Sequence, residues 1–121
     1  MKESFSGNIQ DFVDNAKGEI VIADENMEIV YMNKEAIKKY EKNGGSGLIG
    51  KSLLDCHSKS SQDEIRRMYE SFSNGDLAPW QYRIQEEGYV DMVTVMPVIS
   101  NDILKGCMEF VAKTYDPEKG R

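Results

Sequence analysis

Apolar residues recur along this chain with two different periods, and the switches between them mark the elements. Ile9, Phe12, Val13 and Ala16 fall at the i, i+3, i+4, i+7 spacing of one helix face. A helix over residues 8–17 is predicted, with Ser6 as its cap and Gly18 as its stop. Residues 19–24 and 28–32 are short runs rich in β-branched side chains on either side of a turn at Asp24-Glu25-Asn26-Met27, which is the pattern of a hairpin. Asn33 stands where a helix cap is needed, ahead of a helix to about Tyr40 with Ala36, Ile37 and Tyr40 on one face. Asn43-Gly44-Gly45-Ser46-Gly47 is read as a flexible stretch without regular structure.

Beyond it, Leu53 and Leu54 are expected to be buried. Ser61-Gln62-Asp63-Glu64 has the form of a capping box, in which the hydroxyl and the carboxylate satisfy free backbone amides reciprocally. The helix it opens carries Ile65, Met68, Tyr69 and Phe72 on one face and ends at Asn74-Gly75-Asp76. From there the period is two. Trp80, Tyr82 and Ile84 alternate with polar residues. Tyr89 to Val98 places Val90, Met92, Thr94, Met96 and Val98 on one side, with Pro97 marking the end of pairing. Leu104 to Tyr115 places Met108, Phe110 and Ala112 on one face. The order of helix, two strands, helices and three strands predicts an α+β fold, with one antiparallel sheet of about five strands and helices across one face.

Composition then narrows the function. A chain of 121 residues fits one domain, here 1–121 with its core at about 18–115. With 40% apolar and 30% charged residues it is expected to be folded and soluble. The net charge of −6 disfavours nucleic acid as a partner. The longest apolar runs fall well short of the ~20 residues of a membrane span, and the polar N-terminus is not a signal peptide, so a cytoplasmic location is expected. Cys56 and Cys107 form no CxxC. Phosphate loops and hydrolase or metalloprotease signatures are missing, so binding or sensing is favoured over an enzyme.

Several segments resemble the PAS domain family over roughly residues 8 to 116. Residues 19–24 followed by Ile29-Val30-Tyr31-Met32-Asn33 look like the opening PAS hairpin. Residues 48–54 and the closing Leu104-Lys105-Gly106-Cys107-Met108-Glu109-Phe110 are similar to other PAS segments. Leu54-Asp55-Cys56-His57 resembles the PAS-like domains that accompany hemerythrin-like domains in anaerobic bacteria. The resemblance implies strand order 2-1-5-4-3, a pocket between sheet and helices, and a role in signal transduction. Asp55-Cys56-His57 stands where flavin photosensors carry an Asn-Cys-Arg-Phe type motif, so a photosensor is not expected.

His57 is the single histidine, and a neutral imidazole is a common haem ligand. Within the resemblance it is the candidate metal ligand of a b-type haem, making the domain a redox or gas sensor. The pocket is expected to be walled by Ile65, Met68, Tyr69, Met92, Met96, Met108 and Phe110. The alternatives are a small-metabolite sensor, or a cofactor-free module whose core is filled by its own methionines and aromatic rings. Zinc would need Asp55, Cys56, His57 and Cys107 to converge. The two thiols are otherwise read as small buried hydrophobes. The Ile9, Phe12, Val13 and Ala16 stripe and the outer sheet face are expected to support a homodimer, with an effector protein as a further partner.

Overall fold

The structure, a computed structural model, describes residues 7–115, and for Tyr115 the backbone alone. Helix α1 (Ile9–Asn15) leads into strand β1 (Glu19–Asp24), strand β2 (Ile29–Met32) and helix α2 (Lys34–Lys39). A run of short 3-10 turns then reaches helix α3 (Lys59–Ser73), followed by β3 (Trp80–Gln85), β4 (Tyr89–Ser100) and β5 (Ile103–Tyr115). The strands form one five-stranded sheet in the order β2-β1-β5-β4-β3, and every neighbouring pair is antiparallel. This is the expected α+β arrangement and the expected strand order.

Local chemistry sets the boundaries. The Asp24 carboxylate accepts from the amides of Asn26 (2.9 Å) and Glu28 (3.0 Å), closing the β1–β2 turn, and Met27 takes a left-handed conformation within it. Asn101 and Asp102 both have positive φ between Ser100 and Ile103, which pair with each other. A two-residue hairpin between twisted strands requires this conformation. At Gly106 (φ +148) a Cβ would collide with the Ala23 carbonyl oxygen, so only glycine lets β5 lie this close to β1.

Some boundaries differ from expectation. α1 is capped by Asn8, whose side chain accepts from the Asp11 amide; Ser6 lies outside the described residues. α3 begins at Lys59 with Ser58 as its cap, so the Ser61–Glu64 pattern lies inside the helix, across its first and second turns. The glycine-rich stretch is not irregular: Glu41–Asn43 and Gly45–Leu48 are 3-10 turns joined by positive φ at Gly44. Leu53 and Leu54 are half-buried rather than buried. Pro97 does not end β4, which stays paired with β5 to Ser100. Pairing with β3 stops at Val95, so the other edge beside Pro97 needs no amide.

The largest correction is one of phase. α2 and α3 cover a sheet face built from Val21, Ala23, Val93, Val95, Cys107 and Val111, all buried. Met92, Met96, Met108 and Phe110, expected on the pocket wall, lie on the opposite face. Met92 and Met96 are each 37% exposed and the other two are half-buried. Both faces of β4 and β5 are largely apolar, and within the paired rows the acids that break the tie between phases are Asp91 and Glu109. Those two acids sit on the inner face, which made the inner phase look like the solvent side. The alternation in β3 is correctly phased, but Tyr82 (49%) and Ile84 (42%) are exposed, because no helix reaches over that edge.

Two polar hubs hold the layers. Asn33, fully buried, accepts at Oδ1 from the Ile20 and Ala36 amides (both 3.0 Å). At Nδ2 it donates to the carbonyls of Val13 (3.1 Å) and Gly18 (2.9 Å), tying α1, β1 and α2 together. Lys39 Nζ lies 2.8 Å from buried Asp91 Oδ2 and 3.4 Å from Glu19 Oε1, fixing α2 over the sheet.

Candidate ligand cavity

The inner core is not continuous. One apolar cluster gathers Val21, Ile29, Met32, Ala36 and Leu48 under α2; the other gathers Tyr69, Phe72 and the β4–β5 residues under α3. Between them lies a cavity of about 1340 Å³, reaching from β2 to the open β3 edge. Strand register explains its floor. Met32, Val21, Glu109, Val95 and Trp80 stand opposite one another across all five strands, and all five line the cavity.

The upper wall comes from the segment between α2 and α3. Ile29 and Leu53 amides donate to the carbonyls of Lys51 (2.9 Å) and Met27 (2.8 Å), stitching this segment onto β2. Ser52 caps the Leu53–Cys56 turn by accepting from the Leu54 amide, and Gln62 Nε2 donates to the Leu54 and His57 carbonyls (2.8 and 3.0 Å). His57 Nδ1 lies 2.6 Å from the Leu53 carbonyl, which assigns the ring proton to Nδ1 and leaves Nε2 free.

Of the expected wall, His57, Ile65 and Met68 line the cavity. Tyr69 belongs to the adjoining core instead: its hydroxyl donates to the Asp24 carbonyl (2.8 Å) and lies 3.5 Å from Cys107 Sγ. Burial raises both of these groups, the Cys107 thiol to about 11. Cys107 is the small buried residue expected, but Cys56 is exposed. Among the described residues no three His, Cys, Asp or Glu side chains are placed to hold a metal ion.

Sequence reasoning missed Glu109. It stands in the middle of an apolar row and faces the cavity, and among the described residues none donates a hydrogen bond to it or pairs with it as a salt bridge. Burial raises its carboxyl above the usual range, His57 pulls it back, and Glu19 adds to the rise. Tyr40 and Tyr82 also line the cavity. Both phenols are raised, first by burial and next by the Glu109 charge, Tyr40 to about 12. The one available signal was its position, two residues from Cys107 and two from Val111, both buried.

A five-stranded antiparallel sheet whose helices enclose a ligand-sized cavity defines a class of small sensory and interaction domains. The chain matches the PAS domain family over residues 9–113 and belongs to that family. No curated protein matches it. Among solved structures, a C-terminal domain from Streptococcus mutans superposes with a TM-score of 0.69 at 20% identity, covering 83% of this chain and 78% of that one. A sensory box sensor histidine kinase from Vibrio cholerae gives 0.65 at 16% identity, covering 89% and 90%. The Aer2 receptor of Vibrio cholerae, described as a dual PAS-heme oxygen sensor, gives 0.58 at 14%, covering 79% and 93%. At these identities the likeness is one of fold. Among the described residues no helix is long and apolar enough to cross a membrane.

Proposed function

We propose that this PAS domain is a sensory module in signal transduction that works by binding a small organic ligand between sheet and helices, not by catalysis. The observation that carries this reading is the split core. A domain filled by its own side chains would close the gap between the two apolar clusters, whereas here about 1340 Å³ remains open. Solved relatives that are sensor regions of histidine kinases support the same role. The test is fluorescence of the neutral apolar reporter N-phenyl-1-naphthylamine. Wild type should enhance its emission and Val95→Trp, which fills the floor, should not. Equal enhancement by both, or none by wild type, would remove this reading.

A second reading, b-type haem held by His57, is favoured by one specific contact. A metal-binding imidazole commonly donates its other nitrogen to a carbonyl, as Nδ1 does to Leu53. The cavity volume and the free Nε2 would let His57 hold such a group. The wall charges fit two propionates less well: Lys51 faces Asp55, Glu64 and Glu109, so the propionates would have to lie at the open rim. Bound haem would supply redox or gas-binding chemistry. Haemin titration should then give a Soret band in wild type that shifts or disappears in His57→Ala; no band in wild type sinks this reading and leaves the first.

The signal would leave through a protein surface. Ile9 (73%) and Phe12 (57%) on α1, and Met92 and Met96 on the outer sheet face, are exposed apolar positions that support a homodimer and docking of an effector.

A further inference from the structure

We propose that the cavity selects a protonated amine on an aromatic or apolar body, with Glu109 as the group that recognises the ammonium. The inference rests on the reading that this cavity holds a small organic ligand and specifies which kind.

Glu109 is the central member of the row Met32–Val21–Glu109–Val95–Trp80. Its four companions are apolar or aromatic, and a carboxylate among them loses hydration that the more distant His57 and Lys39 offset only in part. The fold deals differently with its other buried acid: Asp91 is met by Lys39 at 2.8 Å, and the same amine lies 3.4 Å from Glu19. Among the described residues Glu109 has no such contact, and its side chain opens into a space large enough for a ligand. A half-buried carboxylate that feels His57 and Lys39 only at a distance, has no salt bridge among the described residues and faces a cavity is arranged for a cation that arrives from outside.

The surrounding rings fit the same chemistry. Trp80, Tyr82 and Tyr40 line the cavity with Glu109. Aromatic faces attract an ammonium through their quadrupoles, and a carboxylate supplies charge-assisted hydrogen bonds to its protons. Apolar walls from Val21, Val95 and Met68 accept the body of the molecule. Among the described residues Lys51 is the one lysine on the lining, against Asp55, Glu64 and Glu109, so an anionic ligand meets net repulsion.

Three indoles of nearly equal size test this: tryptamine, the neutral alcohol tryptophol and the anionic indole-3-acetate. Each competes against N-phenyl-1-naphthylamine at neutral pH on the whole 121-residue chain. Tryptamine should displace the reporter from wild type at a midpoint at least about tenfold below tryptophol, the size of one charge-assisted contact, with indole-3-acetate weakest. Glu109→Gln should still bind reporter and tryptophol but bring tryptamine within about twofold of tryptophol. The proposal is overturned if wild type treats tryptamine and tryptophol alike, if Glu109→Gln keeps the preference, or if the reporter binds and no indole displaces it. In those cases the cavity reading stands. If the reporter itself does not bind, the cavity reading falls and the proposal with it. The wild-type comparison decides the matter even where the variant does not fold.

Discussion

Two single side chains carry opposite meanings. Asn33 is buried and fully used: it accepts from two backbone amides and donates to the carbonyls of Val13 in α1 and Gly18 just ahead of β1. Asn33→Ala should cost about 2–4 kcal/mol in urea unfolding, since it leaves buried amides and carbonyls orphaned as well as removing a cap. Glu109 is nearly buried and unused, so its removal should act the other way. Its carboxyl is held above the ordinary 4.5 of an unfolded glutamate. Between those two values the folded chain keeps a proton that the unfolded chain has released, so stability falls as pH rises through the window and is flat above it. His57 and Lys39 narrow the window and Glu19 widens it. Glu109→Gln should lack this slope and be more stable than wild type at neutral pH by about 1 kcal/mol, measured by urea unfolding at mildly acidic and neutral pH. Equal pH slopes in the two proteins would contradict the burial argument.

At the scale of elements, α2 is only six residues long and gains its place from tertiary contacts rather than from its own helix propensity. Its anchor is Lys39, which neutralises Asp91 and Glu19 from above the sheet. Taking the lysine away leaves two carboxylates facing each other in the interior. Lys39→Met should therefore destabilise by about 3–5 kcal/mol, while Lys39→Met combined with Asp91→Leu should recover much of the loss. A double variant as unstable as the single one would show that the pair is not the anchor. The segment between α2 and α3 gains its position differently. It is stitched by backbone hydrogen bonds to β2 and by Gln62 to α3, and this places His57 at the cavity wall.

For the whole molecule, a small sheet has two faces, and the helices α2 and α3 cover one. Ile22, Met108 and Phe110 on the other face are half-buried, Met92 and Met96 are open, and Phe12 on α1 is 57% exposed. A second copy of the chain would cover this area. Light scattering should give twice the chain mass at high concentration, and Phe12→Glu should return the monomer without changing the helical signal in circular dichroism. A monomer at every concentration would restrict the apolar face to an effector.

Local patterning was enough to read the three α-helices, the five strands and their order, though not the 3-10 turns at Glu41–Asn43 and Gly45–Leu48. Helical stripes such as Ile65, Met68, Tyr69 and Phe72 have one solution, because polar residues fill the rest of the turn. Turn chemistry was equally local: Asp24, Asn33, Asn101 and Gly106 act on backbone groups close at hand or on a single neighbouring strand. Tertiary structure alone decided which face of β4 and β5 turned inward. Val93 and Val95 compete with Met92 and Met96 on equal terms, and a strand with two apolar faces holds no record of which one the helices will cover. The half-legible cavity follows from that. His57, Ile65 and Met68 sit on helical or loop elements whose direction was readable, and they line it. Glu109 was hidden, because a charge next to Met108 and Phe110 reads as solvent-facing until the register sets it in line with Val21 and Val95.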